Sequence, residues 1–133
     1  MKATVNWQDG MRFSGETDTG HKLALDGEGK CLTPMEAVLV SVGTCSSIDV
    51  VEILKKARQQ VSGCTCELSG ERADTAPRVF RSIHAHFELQ GQDLSDKHVA
   101  RAVNLSAQKY CSVMLMLAGN VEITTSYKVT QVS

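Results

Sequence analysis

A chain of 133 residues with 42% hydrophobic and 22% charged residues has the size and make-up of a single globular domain, residues 1–133. Its formal net charge of −1 leaves no basic footprint for nucleic acid or an anionic membrane surface. The first ten residues, MKATVNWQDG, lack the apolar run of a signal peptide. The charge-free stretch from Ala37 to Ile48, 12 residues that include Ser41, Gly43, Thr44, Ser46 and Ser47, is too short and too polar to span a bilayer. A cytoplasmic location is expected, where thiols stay reduced. Five cysteines, an odd number, exclude a fully paired disulfide framework.

In chain order, Ala3 to Trp7 and Arg12 to Thr17 read as strands joined at Asp9-Gly10, a hairpin signal, and Lys22 to Asp26 as a third strand. Thr33-Pro34 opens a helix, with Thr as N-cap, Pro at the first helical position and Glu36 three residues after the Thr. Nothing breaks the pattern before Ser62-Gly63, which gives a helix of nearly 30 residues, about 42 Å long. Its second half is amphipathic from Glu52 onward. From Ala37 to Ile48 no face carries a charge, and a helix apolar all round is expected to be buried all round. A chain this short has little material for that, so a second subunit is the natural cover. Cys64 to Glu71 and Arg78 to Gln90 alternate as two strands with a turn near Pro77. Ser95 caps a second helix with Val99, Ala102, Val103, Ser106 and Ala107 on one face. A new short helix begins near Tyr110-Cys111 and stops at Gly119-Asn120, and Val121 to Val132 is a last strand. The order βββ-α-ββ-αα-β defines an α+β fold with a long buried central helix on antiparallel sheets.

Cys64 and Cys66 are spaced as C-x-C, and His84 and His86 as H-x-H, in neighbouring strands, which suggests zinc. Alternation argues otherwise. Cys64, Cys66 and Leu68 share the inward face, while Ile83, Ala85, Phe87 and Leu89 leave the histidines on the opposite, polar one. No metal site is expected. Cys31, in a Gly-rich loop, reads as an incidental thiol. Cys45 lies within the small-residue run Ser41 to Ser47, in mid-helix, where Gly43 costs about 1 kcal/mol relative to Ala and so needs a packing or access reason. Cys111 lies where one helical pattern gives way to another, and a helix N-terminus would favour its thiolate. Taken residue by residue, both remain open between a buried core thiol and a reactive one.

The Pro-Met-Glu helix start at Pro34-Met35-Glu36, the run through Gly43-Thr44-Cys45, and Tyr110-Cys111-Ser112-Val113 together resemble the OsmC/Ohr family. The Cys-Ser-Ser-Ile-Asp-Val-Val stretch, residues 45–51, resembles its YhfA-type branch. The resemblance implies an intertwined homodimer with long helices buried between sheets. It also implies a thiol-dependent peroxidase in which Cys45 attacks an organic hydroperoxide and becomes a sulfenic acid. Cys111 would then resolve it to a disulfide, reduced in turn by a lipoylated or other dithiol partner. No metal or organic cofactor is needed for sulfur to carry the redox change.

The family pattern places a glutamate ten residues before the first cysteine, holding an arginine at the thiolate. Here Met35 occupies that position, Glu36 is one residue later, and Arg12 is the arginine nearest to the expected place. Glu36 and Arg12 are thus the further site residues the resemblance suggests. Asp49 lies one turn past Cys45, where a carboxylate would raise its pKa, and Cys111 is followed by Ser where many members have Pro. The alternative is a non-catalytic, stress-associated or ligand-binding dimer of the same fold.

Overall fold

The computed structural model describes residues 1–132, which form two compact units, Met1–Val38 and Leu39 onward. The first is a meander of β1 (Ala3–Asp9), β2 (Arg12–Thr17) and β3 (Lys22–Asp26), paired antiparallel in the order β1-β2-β3. Gly10, at φ +49°, makes the tight turn between β1 and β2, a backbone region that costs glycine little. The unit ends in the start of helix α1 (Pro34–Lys56). There Glu36 N–H donates to Thr33 Oγ1 at 3.2 Å and Thr33 N–H to Glu36 Oε1 at 2.9 Å, a reciprocal capping box.

The second unit places the rest of α1 with β4 (Gln60–Arg72), β5 (Phe80–Gln92), α2 (Asp96–Leu105), a π-helical turn (Ser106–Tyr110), α3 (Ser112–Leu117) and β6 (Glu122–Gln131). Its sheet has the order β4-β5-β6. Ile83, Ala85, Phe87 and Leu89 of β5 are all buried, as the alternation requires, together with Val99, Ala102 and Val103 of α2. On the other face of the sheet His84 bonds Thr124 Oγ1 at 2.7 Å and Ser126 Oγ at 2.8 Å, and His86 bonds Ser126 Oγ at 2.6 Å. The histidines are therefore knit into a cross-strand hydroxyl network.

The βββ-α-ββ-αα-β order holds, with four corrections of detail. First, α1 has 23 residues and stops at Lys56, because Arg58 turns left-handed at φ 60° and the chain enters β4 at Gln60. Gly63, read as the helix stop, instead sits where the β4–β5 register shifts, a bulge that needs no side chain. Second, the sheets are not wholly antiparallel. β6 pairs β5 in parallel, from Ser82 opposite Glu122 to Gly91 opposite Gln131, since the helical crossover is long enough to carry the chain back to the same end.

Third, α1 is not buried all round. It buries Val42, Gly43, Ser46, Val50 and Leu54, while Val40 is 54% and Ile48 55% exposed. Within the larger unit α1 turns one side into the core and leaves Val40 and Ile48 on another exposed. By length and composition alone α1 would also serve as a membrane span, a property it shares with core helices of folded domains. Fourth, Cys64 and Cys66 face α1 but are only half-buried, because that flank opens into a groove.

Gly43 acquires its reason here. A Cβ at that position would run into Leu68 Cδ1 of β4, so the glycine sets how closely α1 approaches the sheet. Gly43→Val should therefore destabilise the fold by about 1–3 kcal/mol through overpacking. Adding Leu68→Ala in the same chain should recover part of that loss, as read from urea denaturation of the single and double variants.

Candidate functional site

Cys45 is carried half-buried on α1, one turn before Asp49. Cys111 is fully buried at the junction of two helical segments. The π turn ends when Cys111 leaves helical geometry, at φ −71° and ψ 106°, with its N–H bonded to Ser106 O at 2.8 Å. The same residue is the N-cap of α3, and its Sγ accepts the Met114 N–H at 3.4 Å. The two side chains lie close enough for Cys45 to influence the Cys111 thiol, and both are free.

Burial is the largest influence on Cys111 and pushes its thiol up to about 11. The Met114 N–H works against this, and the hydrogen bond with Cys45 adds to the rise. The sequence pattern correctly puts Cys111 at a helix start. The expected thiolate does not follow, because a six-residue helix offers less than burial takes away.

Ser106 is the residue that sequence reasoning assigned only to a helix face. Fully buried, its Oγ donates to Ser46 O at 3.2 Å and to Asp49 Oδ2 at 3.0 Å. Asp49 therefore spends its carboxylate on the α2 side of the helix. A serine at the end of an otherwise apolar face was the one available signal. Beyond Asp49 a cavity of about 490 Å³ continues between Glu52, Lys56, Arg101 and Tyr110. Across α1, on the β4 side, a groove of about 640 Å³ lies between Val40, Ile48, Leu68 and the Cys64/Cys66 pair. Burial raises both of those thiols, Cys66 to about 11, and the neighbouring Ser47 hydroxyl offsets only part of the rise.

The other two residues suggested for the site have local partners in the first unit. The exposed Glu36 is held in the capping box, whose hydrogen bonds lower its pKa. The exposed Arg12 makes a 3.7 Å ion pair with Asp9. Among the described residues no three His, Cys, Asp or Glu side chains are grouped to hold a metal.

An α+β chain of this order, carrying a thiol on its central helix against a second thiol at a helix junction, has the architecture of the OsmC-like proteins. Residues 27–126 match the family model "OsmC-like protein", and the chain belongs to that family. Within it the chain falls in the YhfA-type branch: it is 52% identical over 131 residues to protein YhfA of Escherichia coli K12, covering 97% of this chain and 98% of that one. A hypothetical protein from Aquifex aeolicus VF5 superposes with a TM-score of 0.91 at 31% identity, over 99% of this chain and 97% of the other. The organic hydroperoxide resistance protein OhrB of Bacillus subtilis shares the fold at 17% identity, with a TM-score of 0.64 over 96% and 98% of the two chains.

A thiol raised above its ordinary 9.0 stays protonated in the folded chain while its unfolded counterpart ionises. The stability that Cys66 and Cys111 contribute is thus complete below pH 9.0 and lost as pH climbs towards about 11. The urea midpoint should fall across that window, and the fall should be shallower in Cys111→Ser. Iodoacetamide should alkylate Cys111 slowly at neutral pH and faster as pH approaches the thiol's own pKa.

Proposed function

We propose that this protein is a cysteine-based peroxidase that reduces organic hydroperoxides, with Cys45 as nucleophile and Cys111 as resolving thiol. The observation that carries the reading is the pairing of these two free thiols within one unit of the fold. The resemblance to proteins named for organic hydroperoxide resistance supports the substrate class. Cys45 attacks the outer peroxide oxygen. The O–O bond breaks, an alcohol leaves with the thiol's proton, and Cys45 is left as a sulfenic acid. The Cys111 thiol then displaces that hydroxyl as water, forming the disulfide, and a lipoylated or other dithiol returns both sulfurs to thiols while itself becoming a disulfide. Sulfur carries both electrons, so the cycle calls for no metal or organic cofactor.

Glu36 we assign to capping the start of α1. In this reading the protein is cytoplasmic and works as an intertwined homodimer, in which a second copy covers the exposed Val40 and Ile48 of α1. Burying apolar side chains of this size contributes about 1.5–3 kcal/mol each, and we expect an interface of the obligate class, above about 2,000 Å². A second reading, a non-catalytic ligand-binding dimer, draws on the protonated Cys111 and on the groove beside Cys64 and Cys66.

Turnover of cumene hydroperoxide with a lipoyl reductant tests the first reading. Cys45→Ser should abolish it, and Cys111→Ser should stall after one equivalent with a sulfenic acid that dimedone traps. Wild-type turnover no faster than that of Cys45→Ser would favour the binding dimer. Sedimentation at micromolar concentration should show a dimer with no folded monomer, and Val40→Lys should prevent folding rather than release single subunits.

A further inference from the structure

We propose that Ser106, anchored by Asp49, is a positioning residue that holds the Cys111 segment in place against Cys45; the inference rests on the redox pair assigned above. Ser106 is bonded to both thiol-bearing segments at once. Through its main chain it accepts the Cys111 N–H at 2.8 Å, the bond that closes the π turn. Through its side chain it reaches the turn of α1 that follows Cys45, donating to Ser46 O at 3.2 Å and Asp49 Oδ2 at 3.0 Å. The residue is fully buried, so water does not replace these partners when they are lost.

One hydroxyl proton serves two acceptors, and the two are unequal. A helix carbonyl is fixed by its own helix, whereas the carboxylate of Asp49 can adjust to the hydroxyl and makes the stronger, charge-assisted bond. The contact therefore acts as a directional tether between α1 and the end of α2. Cys111 hangs from that tether by a single backbone bond, five residues further on. Disulfide geometry tolerates little error, with Cα atoms about 4.4–6.8 Å apart. A tether that restricts the segment should thus raise the effective concentration of Cys111 at Cys45 rather than alter the reactivity of either sulfur.

The test separates positioning from chemistry. In glutathione buffers the oxidised tripeptide takes two electrons and two protons from Cys45 and Cys111; its S–S bond breaks to two glutathione thiols and the protein disulfide forms. The equilibrium constant for that exchange reads effective concentration directly. Ser106→Ala and Asp49→Ala should each lower it by about tenfold, in line with a buried charge-assisted hydrogen bond. Asp49→Asn, which keeps an acceptor oxygen but not its charge, should recover part of the loss. Formation of sulfenic acid at Cys45, followed with dimedone in a Cys111→Ser background, should be the same with and without Ser106→Ala.

Circular dichroism and thermal melts confirm that each variant compared is folded, and Asp49→Ala keeps the test open should Ser106→Ala not fold. An unchanged glutathione constant in the folded alanine variants overturns the proposal. So does an equal loss in Asp49→Asn, or slower sulfenic acid formation. A wild-type disulfide that forms with glutathione but not with peroxide sinks the peroxidase reading alone and leaves the tether to be judged on the constants. No Cys45–Cys111 disulfide under either oxidant removes both.

Discussion

The close approach of α1 to β4 is the constraint on which the rest of the larger unit depends. Gly43 permits it, Leu68 fills the space that a side chain would take, and Val42, Ser46, Val50 and Leu54 follow into the core behind it. Seating the helix on this side fixes the direction in which its other residues point. Cys64 and Cys66 come to lie along one flank with Ser47, and Cys45 and Asp49 along the other. Two thiol pairs in one small unit are thus kept apart by a helix, and the helix is held by a missing methyl group.

The two pairs also differ in what surrounds them. Cys64 and Cys66 share a serine hydroxyl in an open groove, and burial still dominates their ionisation. Cys111 has a backbone N–H aimed at its sulfur and still has a raised pKa, because it is buried and lies beside a second thiol. Desolvation outweighs the neighbouring donor in both places. In the proposed cycle the raised pKa keeps Cys111 from competing with Cys45 for peroxide, and its sulfur attacks the sulfenic acid only as its proton leaves with the displaced hydroxyl as water.

Much of the fold could be read from residue patterns, because strands and caps are local. The first three strands, the capping box at Thr33 and Glu36, the Ser95 cap and the two-faced pattern of β5 are all set by neighbours within a few positions. What escaped was set at a distance. The end of α1 is decided by the pairing of Gln60 and Val61 with Gln92 and Gly91, which overrides a helix-permissive sequence. The parallel course of β6 depends on where a crossover lands, and the exposure of Val40 and Ile48 on which side of α1 turns into the core. At the site, the two cysteines stood out through their motif surroundings. Ser106 carried no such mark, since its importance lies in partners on α1 some sixty residues away, Ser46 being 60 positions distant and Asp49 57.

The π turn from Ser106 to Tyr110 has a consequence for how this protein can change over time. A π turn holds one residue more than the α-helical turn it replaces, so the segment is defined by its length before its composition. Gln108 and Lys109 are exposed and free to vary in kind. Loss or gain of one residue between Ser106 and Cys111 would swing the sulfur by about 100° around the helix axis and carry it about 1.5 Å along it. In a lineage that keeps the thiol pair, substitutions should accumulate in this stretch while insertions and deletions should not. Spacing, more than any side chain between them, is the inherited quantity.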